Sequence, residues 1–178
     1  MSDTLTMALP QRNTAQVPFD ALYRQTVSDV FAYVFSVLRD RGAAEDVTAL
    51  AFERAYRKRA RYDARRGSQR AWVFGIARNA ALDELRRRQR TAALVVEPDD
   101  PAAAADLDAV DDATEAADRR ATVRAALATL DTRERELIAL KFHAGLTNVE
   151  IARMLGISEA NAGTRIHRAV TKLRKACS

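Results

Sequence analysis

The chain is predicted to be all-α, on three observations. Glycine and proline are scarce, 6 and 4 of 178 residues, while the helix formers alanine and arginine recur throughout. Apolar residues return at three- and four-residue intervals over long stretches, and no stretch shows the strict alternation of a half-buried strand. Helix start and stop signals are explicit: Asp131 precedes Glu134, and Thr147 precedes Glu150, at capping-box spacing. The expected architecture is two small helical domains, an N-terminal helical bundle and a C-terminal four-helix domain, joined by a flexible acidic linker.

Residues 1–18 contain a single arginine and no sustained apolar run, which fits a disordered leader and not a secretory signal. From Phe19 to about Arg39, Leu22, Val27, Val30, Phe31, Val34, Phe35 and Leu38 form a broad apolar stripe. Asp40-Arg41-Gly42 reads as a turn. A second helix, Ala43 to Arg61, is expected to bury Val47, Leu50, Ala51, Phe52, Ala55 and Tyr56. Asp63 to Gln69 is a loop with Gly67 as its turn residue. The third helix, Ala71 to Arg90, turns Trp72, Val73, Ile76, Ala80 and Leu85 to the core and ends in four arginines that suit the negative end of its dipole.

Residues 91–118 hold Pro98 and Pro101 and an alanine–aspartate bias, with a nascent helix expected towards their end. As a random coil this linker spans about 30 Å between its ends, and fully stretched it reaches roughly 95 Å. Helices from Arg119 to Leu130 and from Thr132 to Ala144 follow. Thr147 then opens a short helix that buries Ile151, Met154 and Leu155, and Gly156 ends it in a left-handed turn. Ser158 caps a last helix running to about Lys175, with Ile166, Ala169, Val170 and Leu173 inward.

The net charge of +5 conceals a division into blocks. Residues 19–90 carry sixteen Lys/Arg against nine Asp/Glu, and residues 119–178 carry twelve against five, so each block is +7. Residues 91–118 carry nine acids and no base. Two cationic modules of this kind attract a polyanion, and the strip between them is repelled by it. The final two helices read as a helix-turn-helix, whose second helix enters the major groove with its N-terminal part at the base edges. Asn161, Thr164, Arg165, His167 and Arg168 are its candidate DNA contacts.

Taken with the rest of the chain, these residues resemble the extracytoplasmic-function (ECF) sigma factors of bacterial RNA polymerase, from Phe19 to Lys175. Ala44-Glu45-Asp46-Val47 with Phe52 and Arg54-Ala55-Tyr56 is similar to the helix such proteins dock on core polymerase, which implies contacts through Glu45, Asp46 and Phe52. Arg66-Gly67-Ser68, Arg70 to Asn79 and Leu82 to Arg87 resemble the segment that opens and reads the minus-ten element. The resemblance assigns Arg66, Ser68, Arg70, Trp72, Arg78, Asn79, Asp83, Arg86 and Arg87 to that strand. Holding unpaired bases calls for aromatic walls beside cations, which Trp72, the loop from Tyr62 and the neighbouring arginines supply. The helix-turn-helix is similar to the reader of the minus-thirty-five element. The resemblance further implies core RNA polymerase, promoter DNA and an anti-sigma factor as partners, and neither cofactor nor metal.

Two positions depart from the pattern: Ala49-Leu50 replaces a glutamine–acid pair, and Gly163 stands where a lysine or arginine commonly faces DNA. The lone cysteine, Cys177, excludes an internal disulfide and suits a reducing cytoplasm. No run approaches the ~20 apolar residues of a membrane span. A response-regulator-type activator shares the Gly145-Leu146-Thr147-Asn148 segment. It would need an α/β receiver, and residues 19–90 carry no strand pattern. A recombinase would need a nucleophile, and Ser68 and Ser158 read as loop and cap residues.

Overall fold

In a computed structural model of the chain, residues 17–94 and 115–177 are described. The leader up to residue 16 and the central part of the acidic linker lie outside these. Every regular element among the described residues is helical: α1 (Phe19–Leu38), α2 (Arg41–Lys58), α3 (Gln69–Leu94), α4 (Glu115–Ala128), α5 (Thr132–Phe142), α6 (Asn148–Leu155) and α7 (Glu159–Ala176). The expected all-α class is what the chain adopts. Two short 3-10 turns, Arg59–Arg61 and Ala64–Arg66, lie between α2 and α3.

Local chemistry sets most boundaries. Arg39 closes α1 in the left-handed region at φ 53°, and its amide donates to the Phe35 carbonyl. Asp40 then accepts from the Ala43 amide at 2.9 Å, so α2 begins at Arg41 and not at Ala43. Both capping boxes form as read: Asp131 with Glu134, and Thr147 with Glu150. Gly156 turns the chain at φ 67°, and Ser158 accepts from the Asn161 amide to start α7.

The helices α1, α2 and α3 pack as a three-helix bundle, whose core includes Val30, Tyr33, Val34, Ala51, Val73 and Phe74. Leu50 and Tyr56 were expected inside and are 37% and 52% exposed. The inward face of α2 is Ala44, Val47, Thr48, Ala51, Phe52 and Ala55, and its small residues bring the helix close enough that Leu50 and Tyr56 fall outside the seam. Thr26 and Tyr33 are buried although polar. The Thr26 hydroxyl donates to the Leu22 carbonyl within the same helix, which removes most of the penalty for burying it.

The two cationic blocks do not stand apart. Helix α5 lies against α1, and Leu137, Leu140, Ala144, Leu146 and Ile151 enter the same core as Val34 and Phe74. A smaller cluster of Leu130, Ile138 and Ala169 holds α4, α5 and α7 together from the other side.

Candidate nucleic-acid interface

The segment entering α3 is shaped by short-range bonds. Asp63 accepts from the Arg65 amide at 3.0 Å, and the Tyr62 hydroxyl donates to the Gly67 carbonyl at 2.9 Å. Gly67 has φ +145°, a backbone region in which a side chain is strained, so the bend demands glycine. The Ser68 hydroxyl accepts from the Ala71 amide and starts α3. These bonds set the Tyr62 ring 5.6 Å from that of Trp72. Together they border a groove of about 340 Å³ whose walls include Arg66, Trp72, Asn79, Glu150 and Met154.

Of the residues assigned to the minus-ten strand, Arg66, Ser68, Trp72 and Asn79 meet at this groove. Asn79 and Asp83 follow one turn apart, both exposed. Arg86 pairs with Asp83 at 3.1 Å, and Arg54 reaches the same carboxylate at 3.7 Å. Arg87 grips Glu84 through two bonds of 2.7 Å. Arg70 and Arg78 point elsewhere, towards α5. Arg70 bonds Asp29 and the Ala144 and His143 carbonyls, and Arg78 bonds Glu136 at 2.7 Å.

Hydrogen bonds from Arg87 and Arg88 pull the Glu84 carboxyl down to about 2. A carboxylate depressed in the folded state contributes stability above its ordinary range near 4.5, and that contribution disappears as pH falls towards 2. Glu84→Gln is therefore expected to flatten the acid limb of the stability curve between about pH 4.5 and 2. Urea midpoints across that window check it, and an unchanged limb counts against the assignment.

Glu45 and Asp46 are exposed on the second turn of α2, where Glu45 pairs with Arg41 at 3.2 Å. Phe52 is not: it is 5% exposed, set edge-on to Tyr23 with ring centroids 4.8 Å apart. Its position on the inward face of α2 makes it a core residue first, with only an edge in a shallow groove beside Tyr23, Phe31, Glu45 and Ala49. Leu50 and Tyr56 are the exposed apolar side chains on this helix. Nothing in the apolar periodicity separated them from the core, because the seam is set by helix crossing.

The helix α7 buries Ala162, Ile166 and Ala169 and exposes Asn161, Thr164, Arg165, His167 and Arg168. Lys172 pairs with Glu134 at 2.8 Å and fastens α7 to the capped end of α5. Gly163 faces α6: a β-carbon there would lie 3.5 Å from the Asn148 amide nitrogen. Asn148 in turn accepts from the Lys141 ammonium at 3.2 Å. A β-carbon here would make ordinary van der Waals contact with that side chain alone, so the packing of α6 on α7 has room for one.

Sequence reasoning missed Glu136, Glu150 and Arg153 as residues of this surface. The Ser68 hydroxyl bonds the Glu150 carboxylate, and the Arg153 guanidinium donates to the Arg66 carbonyl at 2.6 Å. Partners more than eighty positions apart leave no local signal.

Residues 22–91 match the family described as Sigma-70 region 2, and residues 120–173 match Sigma-70, region 4. The ECF RNA polymerase sigma factor SigK of Mycobacterium bovis is 32% identical over 163 residues, covering 89% of this chain and 85% of that protein. SigK of Mycobacterium sp. strain KMS is 32% identical over 163 residues, covering 88% and 81%. Among solved structures, the sigma factor RpoE in complex with the anti-sigma factor NepR, from Bartonella quintana, shares the fold. Its TM-score is 0.66 at 22% identity, over 89% of this chain and 95% of that one. CnrH in complex with the cytosolic domain of CnrY has a TM-score of 0.60 at 27% identity, over 88% and 85%.

Proposed function

The chain belongs to the ECF sigma factors of RNA polymerase, and from that premise we propose that it binds core polymerase, directs it to a subset of promoters and opens the minus-ten DNA. In this reading residues 19–90 hold the polymerase and the melted strand, and residues 119–178 read the minus-thirty-five duplex. It works in the cytoplasm and has no catalytic step of its own, because binding energy alone pays for strand opening.

One observation carries the reading. The helix after a capped turn exposes five hydrogen-bonding side chains, Asn161, Thr164, Arg165, His167 and Arg168, while its opposite face is sealed by Ala162, Ile166 and Ala169. That is the division of labour a major-groove helix requires. Asn161 and Thr164, nearest its N-terminus, are assigned to base edges, and Arg165 and Arg168 to the groove rim and phosphates. Trp72 with Tyr62 forms the wall for an unstacked base, and Arg66, Asn79, Arg86 and Arg87 follow the strand. Glu45 and Asp46 are the contacts to core. RpoE, of the same fold, is in complex with the anti-sigma factor NepR, and CnrH with the cytosolic domain of CnrY, which supports a partner of the anti-sigma kind here.

Run-off transcription with purified core tests the proposal. The chain is expected to confer initiation on a promoter selected from a random library. A core enzyme that stays inert at every concentration of the chain rejects the reading. Within it, Arg168→Ala is expected to weaken minus-thirty-five binding and to lower the slope of log affinity against log salt by about one. An unchanged slope removes Arg168 from the phosphate contacts.

A further inference from the structure

Resting on that reading, we propose that residues 17–19 form a strap that holds both ends of the strand-reading loop, with Gln69 as its positioning residue. Gln69 acts without touching DNA, by fixing where Tyr62 and Trp72 stand.

The strap is clamped by one primary amide that satisfies both main-chain groups of a single residue. The Val17 amide donates to Gln69 Oε1 at 2.8 Å, and Gln69 Nε2 donates to the Val17 carbonyl at 3.0 Å. Pro18 favours this arrangement, because the residue before a proline is driven into extended backbone. There the N–H and C=O of one residue point to the same side, as in an antiparallel pair that exchanges two bonds. Gln69 opens α3, so the clamp closes across 52 positions onto the helical turn that carries Trp72.

Phe19 secures the other end of the loop. Its ring meets Tyr56 edge-on at 5.3 Å. The Arg59 guanidinium lies 3.9 Å over the same Tyr56 ring and donates to the Tyr56 carbonyl at 2.7 Å. Arg59 begins the 3-10 turn by which the chain leaves α2. Entry to the loop is therefore fixed through Phe19, Tyr56 and Arg59, and exit through Val17 and Gln69. Tyr56, left outside the core, is the link between strap and loop. The strap is itself anchored: the Pro18 carbonyl accepts from the amide of Leu22 at 3.0 Å, and Leu22 is buried in the N-terminal bundle.

Tyr62 and Trp72 depend on this bracing. They line the strand groove with Arg66 and Asn79, and they also line a second groove of about 410 Å³ with Val17, Pro18, Phe19 and Gln69. The aromatic pair is thus a partition, with the strand on one side and the strap behind it. A binding surface is effective in proportion to the time it spends in its competent arrangement. Backing from the strap raises that fraction.

The test uses the full chain and substitutions at both ends of the clamp. Val17→Pro removes the amide that Gln69 accepts from and keeps the backbone extended, since Pro18 still follows. Gln69→Glu removes the donor to the Val17 carbonyl, and Gln69→Ala removes both bonds. In Gln69→Ala, hydrogen–deuterium exchange of the free chain is expected to rise about fivefold over residues 59–68, with the middles of α1 and α7 unchanged. With core polymerase, permanganate reactivity of the unpaired strand is expected to fall about fivefold, as follows if the unclamped loop is correctly placed about one-fifth of the time. Docking on the duplex is expected to stay at the wild-type level. Each single-bond variant is expected to lie between wild type and Gln69→Ala, and Val17→Pro is expected to add nothing in the Gln69→Ala background.

Wild-type exchange over the loop in Gln69→Ala would overturn the strap, as would a full additional effect of Val17→Pro in that background. A loosened loop with wild-type opening would overturn the positioning role, and so would equal losses of docking and opening. If the wild-type chain initiates at no concentration, the promoter-directing reading fails instead, and exchange over residues 59–68 still decides whether Gln69 holds the loop.

Discussion

Phe74→Ala is expected to lower the unfolding free energy by about 3–5 kcal/mol, the range for truncating a fully buried aromatic ring. The ring is fully buried, packs edge-on to Tyr33 at 5.7 Å, and lies 5.3 Å below the Arg70 guanidinium. Removing it leaves a void between α1 and α3 that helices pinned by α2 and α5 close only in part. Loss of the ring also frees Arg70 from one of its contacts, so the seam to the C-terminal module loosens with the core. Denaturant midpoints with unchanged slopes measure the effect. Phe142→Ala is the control, since that ring is 65% exposed and its loss is expected to shift stability by less than about 0.5 kcal/mol. Equal losses in the two variants would mean that the core has been misidentified.

Trp72→Ala is expected to reduce strand opening far more than promoter docking. Stacking of a base on an aromatic ring contributes about 1–3 kcal/mol, which corresponds to between roughly five- and 150-fold in the open-complex equilibrium. The tryptophan is half-buried: one side leans on Tyr62, and another borders the groove with Arg66 and Asn79. Permanganate reactivity of unpaired thymines reports opening, and gel shifts at low temperature report docking. Trp72→Phe keeps a stacking face and is expected to retain part of the opening. If docking and opening fall together in Trp72→Ala, the residue serves the fold and not the strand.

Much of this molecule was legible along the chain because the signals are local. A capping box involves atoms three residues apart, a left-handed glycine acts on its own backbone, and an apolar stripe repeats within one turn. Hence the starts of α5, α6 and α7, the Gly156 turn and the sealed face of α7 were all read correctly. The exposed row from Asn161 to Arg168 came from the same periodicity. Errors arose where a second helix sets the answer. Leu50 and Tyr56 belong to an apolar pattern, yet the crossing of α2 against α1 and α3 leaves them outside, and Phe52 takes the buried place.

Charge shows the same limit. The sequence divides into two blocks of equal positive charge, and like net charges repel. Net charge, however, averages over every face of a module. At the seam the C-terminal module presents Glu136 and Glu150, and the N-terminal module presents Arg78 and Ser68. A handful of short-range bonds and a shared apolar core outweigh a repulsion that salt screens within about 10 Å.

The order of amino acids by itself determined the helices, their caps, the cationic balance of each block and the face with which α7 meets solvent, since each depends on neighbours within a turn. Which arginines stand free for DNA and which are already engaged was decided only by the tertiary structure. Arg78 and Glu136 are 58 positions apart, and pairing at that distance depends on how α3 and α5 are brought together, a relation no window of the sequence contains.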